Sequence, residues 1–463
     1  MATATITERI EKDLLGPIAL PADAYYGPQT ARGIGNFPIS GIRINHFPTF
    51  IKSLAFVKMA AARANATLGD LDRGKADLIC RVCEEIAAGR HLDEFPLDVF
   101  QGGAGTSTNM NVNEVIANRG LELAGLPRGR YDALHPNNDV NLSQSTNDVY
   151  PTAIRLAILL SHGTLRHALE QLADAFETKA EEFVDVIKLG RTQLQDAVPM
   201  TLGQEFRAFA TTLREDVARL GEIAAFLHEV NLGGTAIGTG INTNPDYRPA
   251  VVAELRAITG LPVVPVGDMI EASWDTGAFV LYSGMLKRTA TKLSKICNDL
   301  RLLSSGPRGG LNEINLPPLQ AGSSIMPGKV NPVVPEVVNQ VAFQIIGYDL
   351  TITLAAEAGQ LQLNVMEPVI AYNILHSLEL LTNAVEVLRG KCVVGITANR
   401  EACRRHLEVS TAGATALSLA IGYERASELA KEALASGRTL KQVLLDSHDI
   451  PRALVAQAEL TLV

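Results

Sequence analysis

The middle third of the chain has a hydrophobic repeat with the period of an α-helix. Apolar residues follow one another at intervals of three and four positions from Leu165 to Ile187, and the same rhythm recurs from Leu202 to Leu227. Each series lines one face of an amphipathic helix of about 30 residues. The pattern predicts three further long helices, at 275–303, 334–358 and 367–389.

These helices predict an all-α fold with a long central helical bundle. They far exceed the usual length of ~11–12 residues, and no alternating strand pattern separates them, so they should pack on one another. We expect three domains: a small mixed N-terminal domain (1–145), a long-helix domain (146–395) and a small helical C-terminal domain (396–463), the last with short helices at 426–435 and 440–446. Because the apolar stripes are broader than five helices of one chain can cover, we also expect association of several copies, as a dihedral tetramer.

Composition and charge narrow the classes of function. The 463 residues are 47% hydrophobic and 20% charged, which excludes an intrinsically disordered chain. There are 41 basic and 50 acidic residues, so the net charge of −9 argues against a nucleic-acid or anionic-membrane partner. A small anion can still bind to a local cluster of donors.

The cysteines and the apolar runs bear on the compartment. Five cysteines are too few and too scattered for a disulfide framework, and the Cys80–Cys83 pair lies within a predicted helix, where we expect buried, inert thiols. The first residues lack the apolar core of a signal peptide, and no apolar run reaches the ~18 residues of a membrane span. These features predict a cytoplasmic protein.

Four polar, turn-forming segments interrupt the helical pattern. They are rich in hydroxyl and amide side chains and lie at 102–109, 141–148, 190–196 and 322–332. One interpretation is helix capping, since Ser, Thr, Asn and Asp satisfy the free N–H groups at helix starts. A cap needs only one side chain, however, and helix N-termini with neutral donors and one lysine, Lys329, can form a receptor for carboxylate or phosphate.

Nucleotide and metal chemistry are not favoured by the spacing of these residues. The segment from Gly322 to Lys329 has five residues between its glycines instead of the four of a P-loop, and Val330 stands where a Ser or Thr would hold magnesium. Gly238 and Gly240 are only a fragment of a dinucleotide fingerprint, and no zinc or calcium motif occurs. We therefore expect no cofactor and no metal.

A small carboxylate bound without a cofactor points to proton abstraction next to that carboxylate. Such a step puts a second negative charge on the carboxylate, as an aci-carboxylate, which hydroxyls, N–H groups and Lys329 would stabilise. The identity of the base stays open at this point. A serine hydroxyl would serve only if N–H donors and a cation favour its deprotonated form, and the glycine-rich 322–332 loop could supply them on closing.

The segment 322–332, GSSIMPGKVNP, resembles the signature loop of the aspartase/fumarase superfamily. The resemblance extends from about residue 11 to residue 399, and it implies an all-α tetramer with a twenty-helix core that releases fumarate by reversible elimination. Segments 190–207, 237–243 and 295–308 resemble the aspartate ammonia-lyase branch most closely. A second anion site of the fumarases is built on His-Pro-Asn-Asp, and here that motif ends in Asn138.

The resemblance implies deamination of L-aspartate to fumarate and ammonia through an aci-carboxylate. Ser323 matches the base that removes a proton from Cβ. The implied binding residues are Thr106, Ser145, Thr146 and Ser324 for the β-carboxylate, Lys329 and Asn331 with Thr192 nearby for the α-carboxylate, and Asn147 and Gln193 near the amino group. Each site is implied to draw on three subunits of a homotetramer.

Two alternatives stay open. One is a sister elimination, such as the hydration of fumarate, because residues that bind fumarate fix the dicarboxylate more firmly than the leaving group. The other is a structural protein that keeps the helical bundle without activity, as lens crystallins do. The presence of Ser323, Lys329 and Asn331 argues against the second alternative. The expected partners are the small dicarboxylate and ammonia, with neither nucleic acid nor membrane.

Overall fold

The computed structural model describes residues 8–451 and is mostly helical, which confirms the all-α fold class. Its helices are α1 (Pro28–Asn36), α2 (Pro48–Leu68), α3 (Arg73–Ala87), α4 (Thr106–Leu123), α5 (Thr146–Glu182), α6 (Leu202–Ala224), α7 (Tyr247–Thr259), α8 (Gly277–Leu303), α9 (Val333–Glu357), α10 (Glu367–Lys391), α11 (Arg400–Val409), α12 (Gly413–Ile421), α13 (Tyr423–Ser436) and α14 (Leu440–Asp446). A short π-helical turn spans Pro136–Val140.

The strands are short and form two-stranded sheets. They are β1 (Glu8–Asp13) with β2 (Gly16–Pro21), β3 (Ile187–Thr192) with β4 (Gln195–Thr201), β5 (Glu229–Val230) with β6 (Val264–Pro265), and β7 (Ile314–Asn315) with β8 (Thr397–Ala398). All pairs are antiparallel except β5 and β6.

The five predicted long helices are present as α5, α6, α8, α9 and α10, but one detail of the prediction is wrong. Ile187, which the spacing places at the end of the first helix, lies in β3, because α5 ends at Glu182. Ile187 packs there against Leu189, Leu407 and Ala412. Phe183 and Ile187 are four residues apart, which fits the helical period, although the helix ends between them.

The chain forms two compact units. One comprises the described residues of Met1–Leu165 with Arg219–Lys287 and Ile345–Glu379, and the other comprises Arg166–Ala218, Arg288–Gln344 and the described residues of Leu380–Val463. The boundaries fall inside the five long helices. The predicted division into three domains stays a prediction.

The first unit is built around α2, which packs against α3 and α7, while α4 packs against α1 and α3. The buried face of α2 contains many alanines, among them Ala55, Ala60 and Ala61, and small side chains allow helices to approach closely. This core fixes the starts of α4 and α5, where two of the polar segments lie.

The second unit has a phenylalanine core between the C-terminal part of α5 and the first half of α6. Phe206 lies at its centre, with ring centroids 5.9 Å from Phe176, 5.3 Å from Phe183 and 5.7 Å from Phe209. The contacts of Phe206 with Phe176 and Phe183 are edge-to-face, and such contacts add to the free energy gained from burial. Among the described helices, none combines the length and the apolar character that a bilayer crossing requires.

Candidate active site

The start of α4 depends on a glycine that no other residue can replace without strain. Gly105 has φ +88°, and a Cβ there would lie 2.4 Å from the ring of Tyr150. The chain turns sharply through this residue and presents Thr106 as the first residue of the helix. The hydroxyl of Thr106 donates to the carbonyl of Gly103 at 2.7 Å and is exposed.

The start of α5 is capped from both sides. The Oγ of Ser145 accepts from the N–H of Asn147 at 3.2 Å, and the N–H of Ser145 donates to Asp148 Oδ1 at 2.9 Å. This reciprocal arrangement resembles a capping box, with the serine accepting from the second rather than the third residue of the helix. Capping and anion binding are compatible here, because a serine hydroxyl that accepts one hydrogen bond still has its own proton to donate to a ligand.

The two helix starts line one open cleft of about 470 Å³ in the first unit. Thr106, Ser145 and Thr146 lie in its wall, and Asn109 joins them because its Nδ2 donates to Thr146 Oγ1 at 3.2 Å. Another part of the wall comes from residues of the segment 235–242. Asn147 reaches this segment, since its Nδ2 donates to the carbonyl of Ala236 at 2.7 Å.

A buried polar floor lies beneath the cleft. Lys58 on α2 is fully buried and donates to Asn141 Oδ1 at 3.0 Å and to Gln144 Oε1 at 2.9 Å. Nδ2 of Asn109 and Nδ2 of Asn113 each donate to the same Asn141 oxygen at 3.1 Å. Burial lowers the pKa of Lys58 to about 7.

The other predicted residues lie in the second unit, where Thr192 and Gln193 form the tip of the β3–β4 hairpin. Gln193 and Leu194 have φ +54° and +60°, as the two-residue turn between Thr192 and Gln195 requires. Neither residue is the Asn or Gly that such a turn favours, so the backbone is strained, and both side chains are exposed.

The base of this hairpin is held by a buried carboxylate. Glu313 accepts from Arg191 Nη1 at 2.7 Å and lies 2.8 Å from Lys188 Nζ and 3.0 Å from His406 Nδ1. Burial alone would raise the pKa of Glu313, but the charge of Lys188 and the bonds from Arg191 and His406 outweigh it and hold the pKa below its usual range. Arg191 immediately precedes Thr192.

The 322–332 segment is a loop that closes on itself ahead of α9. The N–H of Gly322 donates to the carbonyl of Lys329, and Asn331 Nδ2 donates to the carbonyl of Gly322, both at 2.8 Å. A Cβ on Gly322 would lie 2.7 Å from that Lys329 oxygen, so only glycine fits. The Oγ of Ser323 accepts from the N–H groups of Ile325 and Met326 at 3.1 and 2.9 Å.

The structure thus brings Thr106, Ser145 and Thr146 together in one cleft, with Asn147 at its edge, and places the remaining predicted residues in the second unit. Ser324, Lys329 and Asn331 lie with Ser323 in the 322–332 loop, and Thr192 and Gln193 lie in the hairpin. Among residues 8–451, no cluster of three or more His, Cys, Asp or Glu side chains is arranged to hold a metal ion.

Sequence reasoning missed the residues that support the cleft: Lys58, Asn109, Asn141, Gln144 and Asp148. Lys58 had one usable signal, because it is a lysine on the apolar side of α2, between Leu54 and Ala62. The other four lie within the polar segments, where nothing in the spacing separates a supporting amide from a binding one.

Comparison with known proteins identifies the family of the chain. A family model described as Lyase matches residues 16–347, and a model described as Fumarase C C-terminus matches residues 414–458. An aspartate ammonia-lyase of Pseudomonas aeruginosa is 60% identical, covering 97% of this chain and 95% of the relative.

Two solved structures share the fold. One is a cobalt-bound fumarate lyase:delta crystallin from Brucella melitensis, with a TM-score of 0.96 and 57% identity, covering 98% of this chain and 99% of that one. The other is a class II fumarase from Schistosoma mansoni, with a TM-score of 0.91 and 37% identity, covering 95% of each chain. The chain belongs to the aspartate ammonia-lyase family of the aspartase/fumarase superfamily.

Proposed function

We propose that this chain catalyses the reversible deamination of L-aspartate to fumarate and ammonia. The observation that supports the chemistry is the pair of backbone N–H groups that donate to Ser323 Oγ. Hydrogen bonds to this oxygen stabilise it more as an alkoxide than as a hydroxyl, and Lys329 in the same loop supplies a positive charge. The relatives named aspartate ammonia-lyase support ammonia as the leaving group.

In this proposal Ser323 removes a proton from Cβ of L-aspartate. The electron pair of that bond moves onto the β-carboxylate, which becomes an aci-carboxylate. The negative charge lies in the cleft at the N-terminus of α5, where the hydroxyls of Ser145 and Thr146 and the helix dipole favour it. Thr106 and Ser324 complete this part of the site.

The second half of the reaction breaks the Cα–N bond. The aci-carboxylate collapses, a Cα–Cβ double bond forms and ammonia leaves. Lys329 and Asn331, with Thr192, bind the α-carboxylate and keep the substrate in place while the Cα–N bond breaks. A charge-assisted hydrogen bond to a carboxylate is among the strongest available. Asn147 and Gln193 lie beside the departing amino group.

We further propose a homotetramer in which three subunits form each site. The 322–332 loop and the hairpin tip present large apolar side chains to solvent in the single chain: Ile325 is 84% and Leu194 71% exposed. One face of α9 does the same with Phe343, Leu350 and Leu354. Large apolar side chains exposed in such numbers are typical of protein interfaces.

The proposal includes residence in the cytoplasm. All five cysteines are free, and such thiols persist in reducing compartments. Burial raises the pKa of Cys80 and, well above its usual range, that of Cys83, so this pair is a poor nucleophile and a poor metal ligand.

One experiment separates the candidate functions. The purified chain is incubated with L-aspartate and, separately, with L-malate, and fumarate is followed by its ultraviolet absorbance. Fumarate from L-aspartate is the expected result. Fumarate from L-malate alone would replace the proposal with a hydratase, and no fumarate from either substrate would leave a structural protein.

A further inference from the structure

Asp148 is a buried carboxylate on α5 whose two oxygens are both engaged by backbone N–H groups. Its Oδ1 accepts from Ser145, and its Oδ2 accepts from Gly233 and Thr235 at 3.0 Å each. The side chain is 1% exposed. It therefore joins the start of α5 to the segment 231–243, which is distant in sequence, without reaching the cleft itself.

The segment 231–243 forms part of the wall of the cleft, beside the start of α5. It contributes Thr235, Ala236 and Asn242, and the carbonyl of Ala236 accepts from Asn147. Thr235 and Asn242 have φ +55° and +64°, so this backbone needs external contacts to keep its conformation. Close packing supplies one, because a Cβ on Gly238 would lie 2.4 Å from the backbone of Met269.

We propose that Asp148 is a positioning residue that fixes the 231–243 segment against the N-terminus of α5 and so sets the width of the dicarboxylate cleft. This inference rests on the proposed function, because it assumes that fumarate and L-aspartate bind in this cleft. Asp148 acts through Ser145, Asn147 and Ala236 and does not contact the substrate.

The carboxylate is suited to this task because it only accepts hydrogen bonds. An asparagine would turn an NH2 group toward one of the three N–H donors and lose at least one bond. Burial raises the pKa of Asp148 to about 6, a rise that its backbone bonds and the charge of Lys58 limit. Below that pH the Asp148 carboxylate becomes protonated, and one of its oxygens then carries a proton and accepts hydrogen bonds less well, as in the asparagine variant.

The other groups that face Asp148 behave differently across this pH range. Burial lowers the pKa of Lys58 on α2 to about 7, and the thiol of Cys83 on α3 lies near that lysine. Burial, with a contribution from the charge of Asp148, raises the pKa of Tyr247 on α7 well above its usual range, so this phenol stays neutral. Because the charges of Asp148 and Lys58 affect each other's pKa, a pH step in fumarate affinity that Asp148→Asn removes belongs to this pair, and Asp148 is the member that contacts the 231–243 segment.

The test compares Asp148→Asn with the wild-type tetramer, using calorimetry with fumarate and turnover of L-aspartate. We expect the Kd of fumarate and the KM of L-aspartate to rise at least ~10-fold, about the effect of one lost hydrogen bond to a charged group, with a smaller change in kcat. Wild-type affinity should weaken as the pH falls through 6, whereas the affinity of the variant should stay weak and lose this step.

A matched control is Asp216→Asn, since Asp216 is also a buried carboxylate but lies in the second unit, paired with Lys292. It should leave the Kd of fumarate and its pH profile unchanged. Equal effects of the two variants, or an unchanged pH step in Asp148→Asn, would overturn the inference.

Hydrogen exchange of the wild type keeps the inference testable if Asp148→Asn fails to fold. Above pH 6 the amides of the peptide covering 231–243 should exchange slowly, and more slowly still with fumarate bound. Below pH 6 they should exchange faster relative to their intrinsic rate. Exchange at the rate of an unstructured peptide would overturn the inference. If L-aspartate is not turned over but fumarate binding depends on Asp148 as described, the proposed function fails and the positioning role stands.

Discussion

Ser323 and Lys329 lie in the same loop but have different proposed tasks, and their substitutions should separate proton transfer from binding. Ser323 Oγ accepts two N–H groups at 3.1 and 2.9 Å, whereas the carbonyl of Lys329 closes the base of the loop and its side chain is exposed. The first residue should therefore affect kcat and the second should affect KM.

We expect Ser323→Ala to lower kcat at least ~10²-fold, the low end of what a positioned base contributes. Fumarate binding should survive, because the helix starts of the cleft are unchanged. The measurement is steady-state kinetics together with calorimetric titration of fumarate. A variant with near-normal kcat and a raised KM would show that Ser323 is only a ligand.

Lys329→Ala should raise the KM for L-aspartate about ten- to hundredfold, because losing a hydrogen bond to a charged group costs ~1.5–3 kcal/mol. Lys329→Arg, which keeps the charge, should recover part of this loss. An unchanged KM in the alanine variant would show that Lys329 does not bind the α-carboxylate.

For single residues of the proposed site, the sequence indicates the hydroxyl and amide groups that face a ligand but not the groups that hold them in position. Thr106, Ser145 and Thr146 belong to polar segments that stand out from the helical pattern. Lys58 and Asp148 act only through contacts between distant segments, such as the bonds from Gly233 and Thr235 to Asp148. No spacing rule contains that information.

Among the secondary-structure elements, the β3–β4 hairpin depends most on charges outside itself. Lys188 of β3 is buried against Glu313, and Arg191 is partly buried against it. Glu313 also contacts His406 of α11. The hairpin is thereby tied to the segment before β7 and to the C-terminal helices. This anchoring holds the strained Gln193–Leu194 turn in place.

Glu313→Gln should destabilise the protein by about 3 kcal/mol, because it leaves the partly buried Arg191 without its carboxylate partner and the buried Lys188 with Glu205 alone. Glu205→Gln is the matched control. Glu205 contacts the same Lys188 but is partly exposed, so its loss should cost no more than about 1 kcal/mol. Thermal unfolding of both variants checks the difference, and equal losses would contradict the central role of Glu313.

The pH dependence of this effect has a definite sign. The pKa of Glu313 is lower in the folded protein than the ordinary 4.5, so its stabilising contribution is fully present above pH 4.5 and is lost as the pH falls through the folded value. The difference between wild type and Glu313→Gln should shrink in that acidic range.

The elements themselves were largely predictable, and the exception has a physical cause. Long amphipathic helices such as α6 and the C-terminal part of α5 were predictable because a repeat of 3.6 residues over several turns is hard to produce otherwise. The β3–β4 hairpin was not predictable, because its turn is Gln193–Leu194 rather than the usual Asn-Gly pair. In addition, Ile187 continues the helical spacing past the end of α5.

For the whole molecule, the exposed apolar face of α9 is the feature that a single chain leaves unexplained. Leu350 and Leu354 are each 60% exposed and lie four residues apart on one side of the helix, next to the similarly exposed Phe343. Burying such a face in a symmetric interface removes it from water.

Sedimentation should give a mass four times the 49.5 kDa of one chain. Leu350→Glu should dissociate the assembly and abolish activity, since it places a charge in the interface. Leu434→Glu, at an exposed leucine of α13, should change neither. A fully active 49.5 kDa monomer would refute both the tetramer and the shared site.

A site shared between subunits predicts complementation between two inactive variants. Ser145 lies in the cleft of the first unit and Lys329 in the loop of the second, and the proposed tetramer draws them from different chains. Ser145→Ala and Lys329→Ala tetramers, mixed under conditions of subunit exchange, should then form sites in which both residues are native. Random assortment makes about a quarter of the sites intact, so activity should recover to about that fraction of wild type.

If both residues of a site came from one chain, every site would lack one of them and no activity would return. Native mass spectrometry of the mixed tetramers shows whether exchange has occurred, and exchange without recovery would place each site within a single chain.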